Sequence, residues 1–415
     1  MLEIPQELVD LVVQFLWDDN NALTACSLVS RRWRTPSQRQ IFHRLWMTET
    51  RGHDPWLTLL NIYQHPLLNK YVKFIHIYRS TPSANIRGGF PPFPSLIDVS
   101  IQGQPASVWS GHRQPLYDTY GGKAVPNLRR LMISGLKFER IEAFITLLND
   151  PALASFQALT LKRAGLRGNG AWRTNLGSVV VEPGIADSPS NPKLQNLTLE
   201  IESITDLTLI NELLASHSTH LKSKSIRKFS FTGRIDTIRL NGQLSNTSNI
   251  CEQEILHFLD HDRFTSLSEL EFSGPMPADL LRPTSKILAN LKRITVGYTW
   301  LLGPSSATPC SLTSLTELKQ ACISNLKFIT LRFRVTNDHW IERTPEDHAL
   351  LIDTVFSDLV SGLPYLSQMV IEYQTRDFFP GPMLETLIPN TISSGRLLTK
   401  VVDWKYQKHA TTNIT

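Results

Sequence analysis

The chain has 415 residues, 41% hydrophobic and 19% charged, a balance that can bury a large core and excludes both a disulfide-stapled miniature fold and a disordered chain. Lys and Arg number 42 against 37 Asp and Glu, a formal +5 that is too small over this length for a general polyanion binder. The four cysteines, Cys26, Cys251, Cys310 and Cys322, form no CxxC pair, no apolar run approaches the roughly 20 residues of a membrane span, and the acidic first ten residues are unlike a presequence, so a soluble cytoplasmic or nuclear protein is expected.

The first segment has the helical period. Leu8, Leu11, Val12, Phe15 and Leu16 fall on one broad face behind Pro5, which predicts a helix from about Pro5 to Trp17. Asp18 to Asn21 interrupt it with turn and cap residues, after which Leu23, Cys26, Leu28 and Val29 predict a second helix. Ser30 opens a third, which Ile41, Phe42 and Leu45 extend to Leu45. Charge is segregated here: five acids and no Lys or Arg lie in residues 1–24, and five arginines lie in residues 31–44. Three helices this short cannot bury all their apolar surface, so some of it needs a partner.

This segment resembles an F-box. The pattern stands as Ile4-Pro5, Glu7-Leu8, Val12, Phe15-Leu16, Leu23, Cys26, Leu28-Val29-Ser30-Arg31 and Trp33, over about 45 of the 415 residues. It departs in having Ile before the proline and a polar Asp-Asp-Asn-Asn turn. In that family the partner is the Skp-type adaptor of a cullin–RING ubiquitin ligase. The resemblance implies that Ile4, Pro5, Leu8, Val12, Leu16, Leu28 and Val29 lie at or near the adaptor contact, unless they form only the unit's own core.

Beyond a helical linker (48–69), an apolar-x-x-apolar-x-apolar unit recurs ten times between Val72 and Ile371, its copies starting 24 to 41 residues apart. They begin at Val72, Leu96, Leu128, Phe156, Leu194, Ile226, Leu267, Leu291, Leu326 and Leu366, several behind a Pro-Asn, Ser-Asn or Ala-Asn lead-in. The last two apolar residues of each copy flank one outward position, as a half-buried strand requires. Helical stretches intervene at Ile141–Leu148, around Leu207–Leu214, and between Thr344-Pro345-Glu346-Asp347 and Gly362. The expected fold class is α/β: a three-helix F-box-like block (1–47), then an irregular leucine-rich-repeat-like α/β solenoid (70–406) and a polar tail (407–415).

The repeat resembles the leucine-rich repeat, whose strand signature is LxxLxL, although the Asn or Cys that usually follows the strand is missing from most copies. Stacked strands would align their outward residues in columns on a binding face. The central column is His76, Ser100, Met132, Thr160, Thr198, Ser230, Glu271, Thr295, Thr330 and Val370; the flanking one includes Tyr78, Lys162, Glu200, Arg332 and Glu372. Of these, His76, Tyr78, Met132, Lys162, Glu200, Glu271, Arg332 and Glu372 are the candidate contacts to an unknown protein substrate. Both charge signs occur, which suits a protein face and not a nucleic acid or a membrane.

Other constellations are weak. Glu254, His257 and His261 could share a helix face but lack the HExxH arrangement, so a solvated face is expected. Gly165 to Gly170 lacks the Gly-Lys-Ser/Thr ending of a phosphate loop and reads as a loop. The basic stretch Lys222, Lys224, Arg227, Lys228, Arg234 and Arg239 interleaves Phe229 and Phe231, but these occupy buried repeat positions. No catalytic, metal or cofactor site is expected. An F-box followed by degenerate repeats looks like an F-box and leucine-rich-repeat protein of the fungal type. That implies a non-catalytic substrate receptor of an SCF-type ligase, with a repeat scaffold outside ubiquitination as the alternative.

Overall fold

A computed structural model describes residues 4–17, 19–48, 54–79, 90–103, 108–109, 125–138, 141–148, 150–153, 155–166, 194–200, 210, 225–232, 258–259, 264–272, 290–300, 325–335, 346–375 and 389–403. The fold is mixed α/β with long parallel sheet structure, and the chain divides into two units. Unit 1 comprises Met1–Leu194 with Thr208–Lys222, and unit 2 comprises Gln195–Leu207 with Ser223–Thr415.

Unit 1 opens with α1 (Gln6–Phe15), α2 (Asn20–Val29) and α3 (Arg31–His43). Asp19 caps α2, its carboxylate accepting the Ala22 N–H at 2.9 Å, which satisfies one of the amides a helix start leaves unpaired. Val9, Val13 and Leu23 form the centre, with Leu16, Trp33 and Ile41 against it. Pro36 inside α3 has no N–H to give the Arg32 carbonyl, and the Gln6 side-chain amide donates to that carbonyl at 3.3 Å instead. The Arg32 guanidinium in turn donates to the Ile4 carbonyl at 3.2 Å, so the start of α1 lies against the start of α3.

The third helix ends at His43, short of the expected Leu45. Arg44–Thr48 is β1, in which Leu45 and Met47 turn inward and Trp46 outward. Alternation of Leu45 and Met47 about Trp46 has period two, and pairing with the next strand overrides the helical spacing of Ile41, Phe42 and Leu45. The sheet therefore starts inside the segment expected to be purely helical. The linker then holds α4 (Pro55–Gln64), capped by Asp54 through the Trp56 N–H at 2.8 Å, and α5 (Pro66–Asn69).

The main sheet of unit 1 is parallel, in the order β1, β2 (Phe74–Arg79), β3 (Asp98–Gly103), β5 (Arg130–Ser134) and β7 (Ala158–Lys162). Short strands β4 (Val108–Trp109), β6 (Lys137–Phe138) and β8 (Gly165–Leu166) form a second parallel sheet, so the expected 165–170 loop begins as a strand. Gly135 makes the corner between β5 and β6 at φ 64°, where a Cβ would collide with the Gly103 carbonyl of the preceding copy. Helix α6 (Ile141–Leu148) lies where its periodicity predicts.

The sheet of unit 2 is also parallel: β9 (Asn196–Glu200), β10 (Lys228–Thr232), β11 (Glu269–Phe272), β12 (Arg293–Trp300), β13 (Phe328–Val335), β14 (Gln368–Thr375) and β15 (Leu397–Asp403). Helix α7 (Glu346–Gly362) spans the stretch its end signals predict. Buried Asp353 in α7 accepts the Asn390 and Thr391 main-chain N–H groups at 3.1 and 2.9 Å, tying down α8 (Pro389–Ser393).

All thirty apolar positions of the ten copies are buried, none more than 3% exposed. The last two apolar residues of each copy lie on one strand, and the copies align step for step: Ile75, Val99, Leu131 and Leu159 in unit 1, and Leu197, Phe229, Leu270, Ile294, Ile329 and Met369 in unit 2. The asparagine of the lead-in stitches neighbouring copies. Asn127 donates to the Pro94 carbonyl at 2.9 Å and Asn290 to that of Thr265 at 3.2 Å, the same step one copy back in both cases.

Candidate functional site

Two surfaces collect the candidate residues. The first is on α1 and α2, where the small helical core leaves a row of apolar side chains outside: Ile4, Leu8, Val12, Leu28 and Val29 are 44 to 76% exposed. Pro5 is exposed with them, whereas Leu16 packs against the core. Leu11, Phe15 and Trp17 are exposed as well, and Phe15 matches Leu28 at 76%. Because Arg32 holds the Ile4 carbonyl, the start of α1 sits at the junction that follows Leu28 and Val29.

The second surface is the outward side of the sheets. In unit 1 the register sets Trp46, His76, Ser100, Met132 and Thr160 side by side, followed by Thr48, Tyr78, Gln102, Ser134 and Lys162. The Trp46 and His76 rings lie 4.5 Å apart, and His76 Nδ1 is 2.8 Å from the Ser100 hydroxyl. Burial pushes the His76 ring below its ordinary range, against an opposing hydrogen bond with Gln102. A row at the strand starts carries Arg44, Phe74, Asp98, Arg130 and Ala158. Arg44 lies over the Trp17 and Phe74 rings at 5.4 and 5.5 Å, and Arg130 pairs with Asp98 at 3.0 Å. Burial still leaves the Asp98 carboxyl above its usual value, despite Arg130 and Arg44.

In unit 2 the outward side is an ion-pair chain. Glu372 accepts from Arg332 Nε at 2.7 Å, the other side of that guanidinium meets Glu271, and Lys228 lies 3.3 Å from Glu271. The Ser230 hydroxyl donates to the same Glu271 carboxylate at 3.0 Å. Burial alone would raise the Glu271 carboxyl, but Arg332 and Lys228, with the hydrogen bonds from Arg332 and Ser230, outweigh it and hold it below its ordinary range. Arg332 is pushed up correspondingly, its two carboxylates outweighing burial.

Thus Glu271, Arg332 and Glu372 are joined directly, as are His76 and Ser100. Tyr78, Met132 and Lys162 share the unit 1 face with His76, and Glu200 stands at the end of β9. Trp46, Arg44, Asp98 and Arg130 are not singled out by the sequence, and Lys228 stands out there only as part of the basic stretch. Trp46 falls just past the expected third helix and Arg44 inside it, while Asp98, Arg130 and Lys228 open their strands directly before the second apolar residue of each copy, a step the LxxLxL template leaves blank. Glu254, His257, His261, Lys222, Lys224, Arg234 and Arg239 lie outside the described residues, as do residues 167–170. Among the described residues no three His, Cys, Asp or Glu gather as a metal site, and no helix is long and apolar enough to cross a membrane.

No protein-family model matches this sequence, and no curated protein matches it. Among solved structures it is similar to a chain of the crystal structure of a TLR13–ssRNA13 complex, with 11% identity and a TM-score of 0.35 over 81% of this chain. The match spans 41% of the length of that chain. A likeness that loose bears on neither ligand nor activity.

Proposed function

We propose that this chain is the substrate-recognition subunit of an SCF-type ubiquitin ligase, cytoplasmic or nuclear, with α1 to α3 serving as an F-box and the repeats as a leucine-rich-repeat-like solenoid. The observation that carries the reading is the split of apolar residues in α1 and α2. Val9, Val13 and Leu23 suffice for the core, while Ile4, Leu8, Val12, Leu28 and Val29, all in the F-box-like pattern, stand 44 to 76% exposed. Exposed apolar residues grouped on a small unit suit a permanent protein contact, and the Skp-type adaptor is the contact this pattern implies. The receptor itself performs no chemistry. It raises the local concentration of target lysines at the ubiquitin donor, so its contribution is tethering and orientation.

Co-purification of the full chain with the Skp-type adaptor tests this, beside a Leu8→Asp, Val29→Asp variant whose folding is checked by circular dichroism. Stoichiometric binding that the folded variant loses supports the receptor. Absence of binding by folded wild-type protein sinks it and leaves a repeat scaffold.

A further inference from the structure

Apart from whatever α1 and α2 bind, we propose that the edge of the unit 2 sheet at which its strands begin binds an extended acidic segment of a partner protein. The residues directly before β10 to β14 are Arg227, Ser268, Lys292, Lys327 and Ser367, three cations and no carboxylate. Each from Ser268 onward donates its main-chain N–H to the carbonyl of the one before, at 2.8 to 2.9 Å, so the five form one continuous row. Arg227, Lys292 and Lys327 are exposed, and none of their side chains has a hydrogen-bonding or ionic partner among the described residues.

Lys292 and Lys327 stand on adjacent strands, about 4.8 Å apart, where like charges repel. The described turns ahead of these strands, 264–267, 290–291, 325–326 and 363–366, carry no carboxylate to relieve them. One step on, Glu269 makes no ion pair with the row, its neighbour Arg293 adds a further charge over the Phe328 ring at 4.9 Å, and Glu271 is taken up by Arg332 and Lys228. An anion from outside is what this edge lacks. In unit 1 the same step separates its cations, Lys73 and Arg129, by Ile97, so no two adjoin. From Arg227 to Lys327 is three strand spacings, about 14 Å, which an extended segment crosses with about five residues. The unpartnered cations form a single line, which fits a narrow chain better than a duplex or a bilayer. No aromatic ring stands between them, as base stacking in a nucleic-acid single strand would need; Tyr365 lies past the last cation, ahead of β14.

Fluorescence anisotropy on the full chain tests the proposal with four labelled probes: a ten-residue peptide of alternating Glu and Ser, its counterpart with Gln for Glu, a ten-residue oligouridylate and phosphatidylserine vesicles. The Glu peptide should bind at low salt and weaken as salt rises, and the Gln peptide should not bind. Lys292→Gln with Lys327→Gln should weaken the Glu peptide at least fivefold. Lys73→Gln with Arg129→Gln removes the same net charge and should stay within twofold of the wild type, which separates the row from the charge of the whole chain. All four positions are exposed, and matching unfolding midpoints keep the variants comparable. No binding of the Glu peptide, equal losses in the two double variants, or tighter binding of the oligouridylate or the vesicles overturns it. The Leu8→Asp, Val29→Asp protein should keep the peptide affinity, so a failed adaptor contact and a failed acidic-segment site give different results.

Discussion

Leu131 of β5 and Leu270 of β11 occupy the same step of the repeat in the two units, and each is 1% exposed. One residue further on, the same comparison sets Met132 in unit 1 against Glu271 in unit 2, and the likeness ends. In unit 1 the outward neighbours are uncharged rings bordered by cations; in unit 2 they are carboxylates and bases joined from Glu372 through Arg332 and Glu271 to Lys228. The inward steps are held to one solution because a sheet with a buried face admits only apolar residues there. The outward steps are free to diverge. In unit 2 they consume one another's charge, and in unit 1 they leave a ring uncovered.

The inward equivalence is the easiest part to break and carries the largest expected effect. Leu131→Ala and Leu270→Ala should each cost about 2–5 kcal/mol in urea unfolding, since each removes a buried side chain from between two flanking strands. A loss under about 1 kcal/mol at one site would show that the two copies are not packed alike. The outward difference predicts a smaller, one-sided effect. Glu271→Gln keeps the shape but removes the charge between Arg332 and Lys228, which should cost about 1–2 kcal/mol. Arg332 keeps Glu372, so the loss should stay below the roughly 3–5 kcal/mol of an orphaned buried charge. Met132→Gln at the equivalent step should change stability by about 0.5 kcal/mol or less.

The repeat was legible because burial is a property of single residues at fixed steps: every one of the thirty apolar positions could be named from the spacing alone. Phe93, Val125, Leu153, Phe264 and Leu363, three residues ahead of their copies, are buried too, and extending the template by one turn would have found them. Strand β1 was missed because Leu45 satisfies a helical and an alternating pattern at once, and only its pairing with β2 decides between them. The ion-pair chain is a different case. Lys228, Glu271, Arg332 and Glu372 come from four strands, and which of them meet depends on register and rotamer, which no single strand's sequence encodes.

Acid should separate the units. Burial, with Lys73 and Arg44 nearby, pushes the His43 ring from 6.5 down to about 4, and burial lowers His76 as well. Both rings are held neutral in the fold while the unfolded chain takes up protons, so their contribution is complete above pH 6.5 and declines as pH falls below it, that of His43 until about pH 4. Glu271 lies below its ordinary 4.5, so its contribution persists down to that pH and is lost only below it. Between pH 7 and 5, hydrogen exchange corrected for intrinsic rate should show β2 and β3 losing protection while β13 and β14 hold theirs. His43→Gln with His76→Gln should flatten the response of unit 1. A uniform loss across both units would remove the electrostatic side of the comparison.

An equally small effect is expected at Trp46. Trp46 lies on the edge strand of its sheet with two-thirds of its surface open, and on the sheet its ring meets chiefly His76. Its removal takes away little buried area, and Trp46→Ala should shift stability by only about 0.5 kcal/mol, the range of an ordinary surface change. A loss of several kcal/mol would mean that the ring supports β1 and the helices before it, and its exposure would then be incidental. A near-neutral result would leave a large, rigid, apolar side chain that the fold does not need, on a sheet face whose counterpart in unit 2 is filled by the ion pairs of Lys228, Glu271, Arg332 and Glu372. Contact with something outside the chain is then the physical reason for a tryptophan at that position.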